Sequence, residues 1–269
     1  MRASHLVSTL ALFVLSAAVS DAAEEVTTPE EHLGRPVGVD FQLADWSEVK
    51  SYFHKLAQQS PNVITEKVGT TTEGRDFLLS TISSAENLAR LDAIRRSARS
   101  IADPRGKTKA EKRKAIREGK VILFISCAMH ATETAAPQFA MQFAHELATA
   151  RGEPWRSARR NLVVVIAPST NPDGLDHVVS WYRKTVGTPY EASSLLKLYQ
   201  YYTGHDNNRD WFMLTQKETR AMTRALSREW FPQVWLDEHQ MGSTGPRMFV
   251  PPFTEHVSPT IHPLVWREV

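Results

Sequence analysis

The stretch "VILFISCAMHATETAAPQF", residues 121–139, decides how this chain folds. Its first seven residues form a nearly continuous apolar run, as expected of a strand covered on both faces. After the short "AMHATET" the period changes. Apolar residues at 136, 139, 140, 143, 144 and 147 follow helical spacing, and Pro137 is tolerated because the first N–H groups of a helix have no partner within it. Strand, loop and helix in that order are the repeating unit of an α/β fold, whose ligands gather beyond the carboxyl ends of strands. The loop at this end carries His130 and Glu133, three residues apart.

The flanking sequence repeats the theme. Apolar residues at 46, 49, 52, 53 and 56 predict a helix that Asp45 can cap and Pro61 closes. "NVITEKVG" and "DFLLSTI" read as strands around the turn-like "TTTEGR". Residues 86–99 look helical. The Lys- and Arg-rich "DPRGKTKAEKRKAIREGK" that follows reads as a solvated helix or connector. "NLVVVIAP" is a second buried strand, "NPDG" at 171–174 a shaping turn, and helices are expected at 193–202 and 216–230. "QVWLDEH" is a further strand, with His239 at its end. The expected fold is α/β, with a mixed, largely parallel central sheet flanked by helices.

With 269 residues, 42% hydrophobic and 23% charged, the chain is long enough for one sizeable core. Its net charge of +2 provides no field for a polyanion, so no nucleic-acid partner is expected. Residues 1–23 have Arg2, an apolar stretch from Leu6 to Val19, and small residues at Ser20, Ala22 and Ala23, the pattern of a secretory signal peptide. Secretion or export to the periplasm follows, with no stable membrane span once the leader is removed. Residues 24–44 form a Pro- and Gly-punctuated arm, and 45–269 form the main domain. Cys127, the single cysteine, ends a buried strand and reads as a small packed hydrophobe rather than a nucleophile.

H-x-x-E alone is a weak metal signal, since a surface histidine and a glutamate at a helix start give the same pattern. His239 adds weight, because His, Glu and a distant His make a three-ligand set with one position open for water. "MHATE", "NPDG", "WYRKT", "DNNRDW" and "DEH", in that order from about residue 40 onward, resemble the zinc carboxypeptidase family, the funnelin-type metallopeptidases.

That resemblance implies one zinc ion held by His130, Glu133 and His239. It implies Arg183 as the cation that polarises the scissile carbonyl and stabilises the oxyanion, and Asn208 with Arg209 as the grip on a peptide's free C-terminal carboxylate. Asp206 corresponds to a carboxylate that orients a zinc-bound histidine, His130 in this chain. Asp210 stands where relatives often carry a second asparagine. The family's general-base glutamate lies well downstream of its last zinc ligand, and here only 30 residues follow His239. Glu255 and Glu268 come too soon and read as surface residues, so the base is expected beyond residue 269 and the domain is expected to be incomplete at its C-terminus. The implied activity is a metallocarboxypeptidase using zinc-activated water. The alternatives are a zinc amidohydrolase of the same fold acting on acyl-amino acids or cell-wall peptides, and a non-catalytic zinc- or peptide-binding fragment.

Overall fold

β-branched and leucine side chains crowd the runs at 76–82, 121–127 and 162–167, and these become the middle of a five-stranded sheet. The structure, a computed structural model, describes residues 26–191, 193–197, 206–241, 259 and 262–264. Among these the strands are β1 (Val63–Thr70), β2 (Asp76–Ile82), β3 (Val121–Cys127), β4 (Leu162–Ala167) and β5 (Val234–Glu238), side by side as β1-β2-β4-β3-β5. β3 runs parallel to β4 and β5, while β2 is antiparallel to β1 and β4. The sheet is thus mixed, with its parallel part made of β4, β3 and β5.

The helices are α1 (Pro29–Leu33), α2 (Trp46–Gln59), α3 (Ala85–Ala89), α4 (Leu91–Ala102), α5 (Lys109–Glu118), α6 (Ala135–Thr149), α7 (Trp155–Asn161), α8 (Pro172–Thr185) and α9 (Lys217–Arg224), the last running on as a π-helical stretch to Trp230. Alternation along the strands feeds two covers. Leu78, Ile82, Ile125, Val164 and Ile166 pack with Phe53 and Leu56 of α2, Met141 of α6 and Leu175 and Val179 of α8. Phe77, Leu79, Phe124, Val163 and Val165 pack on the other side with Ile94 of α4, Met222 of α9 and Trp230. Removing each such side chain from water contributes roughly 1.5–3 kcal/mol, so the sheet interior is the rigid part of the molecule.

α2 begins in the capping box of Asp45 and Glu48 and ends at Ser60, as its sequence dictates. The basic stretch becomes α5, a solvated helix whose one buried residue is Ala115. The reading of "NPDG" as a turn is corrected. Asn171 is the N-cap of α8, its side chain accepting from the Gly174 N–H, and Pro172 is the first helical residue. Asn–Pro satisfies turn and helix-start rules equally; what separates them is the apolar spacing of Leu175, Val179 and Tyr182 that follows. The helix expected at 193–202 is absent over 193–197, and its remainder lies outside the described residues, as do the leader 1–23, Glu255 and Glu268. Among the described residues no helix is long and apolar enough to cross a membrane.

Candidate metal centre

The site forms where β3 and β5 end side by side. Cys127 and Glu238 are register partners, and each strand releases a histidine into the same space, His130 three residues after β3 and His239 directly after β5. After β3 the chain bends at Ala128, whose φ of 51° is left-handed, a conformation that L-residues with a Cβ seldom adopt. The backbone turn from His130 O to the Glu133 N–H, 2.9 Å, then sets both side chains on one side.

The β4–α8 loop backs this turn. Thr170 N–H donates to Cys127 O at 2.8 Å, and Gly174 brings the first turn of α8 so near that an added Cβ there would lie 2.7 Å from the Ala131 Cβ. The glycine of "NPDG" is therefore required for close approach. Asp173 ties the same helix to the β1–β2 turn, accepting from Thr71 Oγ1 at 2.7 Å, Glu73 N–H at 2.8 Å and Arg75 Nη1 at 2.9 Å.

His130 Nδ1 lies 2.9 Å from Glu133 Oε1, and His239 Nδ1 lies 3.1 Å from Glu133 Oε2 and 3.2 Å from His130 Nδ1. One donor atom from each of the three residues falls within 4.8 Å of the others. A tetrahedral zinc with bonds of about 2.0–2.1 Å needs its ligand atoms about 3.3 Å apart, so the spacing and the nitrogen–oxygen–nitrogen donor set fit that ion.

Each imidazole turns its Nε2 to another carboxylate, His130 to Asp206 Oδ2 at 3.1 Å and His239 to Asp237 Oδ2 at 3.1 Å. These bonds hold an N–H on each Nε2 and turn each Nδ1 into the site, where its lone pair would become available once a metal displaced the proton shared with Glu133. Hydrogen bonding to Asp237 and then to Glu133 raises the pKa of His239 to about 10. Burial alone would raise that of Glu133, yet the bonds from His239 and His130 outweigh it and hold this carboxyl below its ordinary range. Cys127 is fully buried and its thiol is pushed well up by that burial, in keeping with a packing role.

Asp206 joins this cluster to the "NNRD" segment. Its Oδ2 meets His130, while its Oδ1 accepts the Asn208 N–H at 2.8 Å and so caps the 3-10 turn Asn207–Arg209. Asn208 and the exposed Arg209 thereby stand next to the cluster. Asp210 points the other way: it is buried and accepts from Thr215 N–H at 3.0 Å, Gln216 N–H at 2.9 Å and the Thr219 hydroxyl. Those bonds depress its pKa to about 2 although burial works against them.

Arg183 is not among the side chains brought together. From the last turn of α8 its guanidinium reaches Asp45 Oδ2 at 2.7 Å, Glu48 Oε2 at 2.9 Å and Leu43 O at 3.0 Å, beside an open cleft lined by Arg75, Asp176, His177 and Lys184.

Sequence reasoning overlooked Asp237 and Gln240. The amide oxygen of Gln240 accepts the Ala135 N–H at 3.3 Å at the start of α6, where Thr134 makes no side-chain cap. A carboxylate two residues before the distant histidine on the same strand was the available signal for Asp237.

Several solved structures are similar. Carboxypeptidase A from Helicoverpa armigera is 18% identical, with TM-score 0.48 over 82% of this chain and 50% of its own. Thrombin-activatable fibrinolysis inhibitor is 13% identical, with TM-score 0.50 over 80% and 52%. A metallo-carboxypeptidase from Burkholderia cenocepacia is 18% identical, with TM-score 0.48 over 74% and 42%. This chain spans about half the length of the first two. Among curated proteins no sequence matches significantly. A family model described as zinc carboxypeptidase matches residues 49–246, well over half of the chain and spanning the converging His130, Glu133 and His239 together with the turn beside them; the chain belongs to the zinc carboxypeptidase family.

Proposed function

We propose that this chain carries the metal-binding and substrate-gripping residues of an exported zinc carboxypeptidase that hydrolyses peptide bonds at or near a free C-terminus. The observation that carries this reading is the three-donor cluster at tetrahedral spacing, braced at His130 by the same Asp206 that caps the Asn208–Arg209 turn. When bound, zinc supplies Lewis acidity and an activated water.

The chain's own residues hold the metal and grip the substrate. Glu133 provides the negative ligand, and its two oxygens face the two histidines. Arg209 offers a planar fork of donors to a terminal carboxylate, and the Asn208 amide adds another bond. Because Asp206 fixes that turn relative to His130, the distance from gripped carboxylate to hydrolysed bond is built into the site. This favours chain ends over internal bonds. In the same reading Arg183 stabilises the oxyanion after exchanging Asp45 and Glu48 for substrate. Secretion or periplasmic location rests on the leader at 1–23.

Zinc content and peptide specificity test the proposal together. One zinc per chain is expected, lost in both His130→Ala and His239→Ala, with peptides bearing a free carboxyl end cleaved in preference to their amidated counterparts. Absence of zinc from the native protein, or equal cleavage of amidated peptides, would overturn it.

A further inference from the structure

We infer that Asp237 is a positioning residue for His239, part of a three-residue relay in which Trp235 and Ser126 fix the carboxylate that holds the imidazole with Nδ1 toward the metal. This rests on the metal-site reading above and adds residues to it.

The relay follows from strand register. Ser126 and Asp237 are partners in the parallel β3–β5 ladder; Trp235, two residues earlier, lies on the same face of β5. Trp235 Nε1 donates to Ser126 Oγ at 2.8 Å, and Ser126 Oγ donates to Asp237 Oδ1 at 2.5 Å. The other oxygen, Oδ2, meets His239 Nε2 at 3.1 Å.

Proton inventory gives these bonds their direction. An indole N–H only donates, so Ser126 Oγ accepts from Trp235 and must turn its single hydrogen elsewhere. That hydrogen goes to Asp237, which as a carboxylate only accepts. Asp237 therefore accepts again at His239, which fixes an N–H on Nε2 and keeps Nδ1 as the atom facing Glu133 and His130, the position from which it would ligate a metal.

His239 needs such a device more than His130 does. β5 is an edge strand in the described sheet, and Trp235 and Leu236 are 43% and 46% exposed. Packing alone does not fix the direction in which its terminal histidine points. Ser126, in contrast, is fully buried in the central strand, so the relay lends the rigidity of β3 to a ligand carried by β5.

The test measures zinc affinity of the full chain by competition with a chelating dye at fixed pH, alongside the thermal midpoint of the metal-free protein and the visible spectrum of the cobalt-loaded protein. Asp237→Asn keeps the shape of the side chain but weakens its acceptor, and zinc affinity should fall about 10- to 100-fold with the metal-free midpoint little changed and the cobalt bands altered. Ser126→Ala should give a smaller fall. Trp235→Phe, at the exposed end of the relay, gives a third reading if Ser126→Ala folds poorly. Native affinity in Asp237→Asn, or a fall no greater than its loss of folded protein, would overturn the inference alone. Failure of the native chain to bind zinc would overturn the functional reading and this inference with it.

Discussion

β3 and β5 lie next to each other in parallel and deliver one ligand histidine each, yet they are held by different physics. Phe124 and Ile125 are 0% and 3% exposed, whereas their register partners Trp235 and Leu236 are 43% and 46% exposed. The first strand is fixed by apolar packing on both faces. The second is fixed by its ladder to β3 and by polar bonds at its end. A metal centre assembled from the two inherits one ligand from the core and one from an edge, and this asymmetry tells where the site is rigid and where it relies on hydrogen bonds.

The sharpest break of the comparison is a pair of truncations at one register position. Ile125→Ala should cost about 2–5 kcal/mol, since the vacated space lies between two packed layers. Leu236→Ala should cost under about 1 kcal/mol, because nearly half of that side chain already faces water. Urea denaturation of both variants measures the difference. Similar losses would mean that β5 is covered in the working protein.

Gly174→Ala comes next. The new methyl would meet the Ala131 Cβ at 2.7 Å, so either α8 or the His130 loop must shift, and overpacking of this kind costs roughly 1–3 kcal/mol. The expected signature is lower thermal stability together with weaker zinc binding, since the displaced loop carries His130 and Glu133. Stability lost with zinc affinity intact would show that the loop does not depend on α8 for its shape.

Acid sensitivity reports on the opposite anchor. The carboxyl of Asp210 sits at about 2 in the folded chain, against about 3.9 in an unfolded one. A depressed folded value means the contribution is fully present above the unfolded pKa and is lost as pH falls through the folded one. About 2 kcal/mol should therefore disappear between roughly pH 5 and pH 2, and Asp210→Asn should lose much of it already at neutral pH. Denaturation midpoints of native and variant protein across that range check this. Parallel acid profiles would remove Asp210 from the account.

How much of this the sequence discloses follows the same division. The apolar runs of β3 and β4 and the capped periodicity of α2 and α6 are legible because burial on two faces and helical spacing each leave a pattern within one window. The two ligand positions at strand ends are legible from the polar residues that interrupt those patterns. α8 is misread at its start, because Asn171–Pro172 serves a turn and a helix cap with the same atoms and only the spacing of Leu175, Val179 and Tyr182 decides. The relay through Ser126 is hidden for a different reason: Ser126 lies 109 positions from Trp235 and 111 from Asp237 in the chain, and only the β3–β5 register brings it to them. Arg183 looks like a site residue by its motif, yet its partners Asp45 and Glu48 lie about 135 positions earlier, and no local pattern announces them.

The smallest effect is expected at Arg183, and its size bears on the role proposed for it. Its guanidinium is shared between Asp45 and Glu48 at the start of α2, with the side chain 47% exposed. Ion pairs this open to water contribute about 0–1 kcal/mol, so Arg183→Met should shift the urea midpoint only slightly and leave zinc affinity unchanged. Such a weak clasp is the condition for the oxyanion role, since an arginine that must turn toward substrate cannot be strongly held elsewhere. A loss well above about 1 kcal/mol would make Arg183 a structural tie between α2 and α8. The oxyanion would then need another cation.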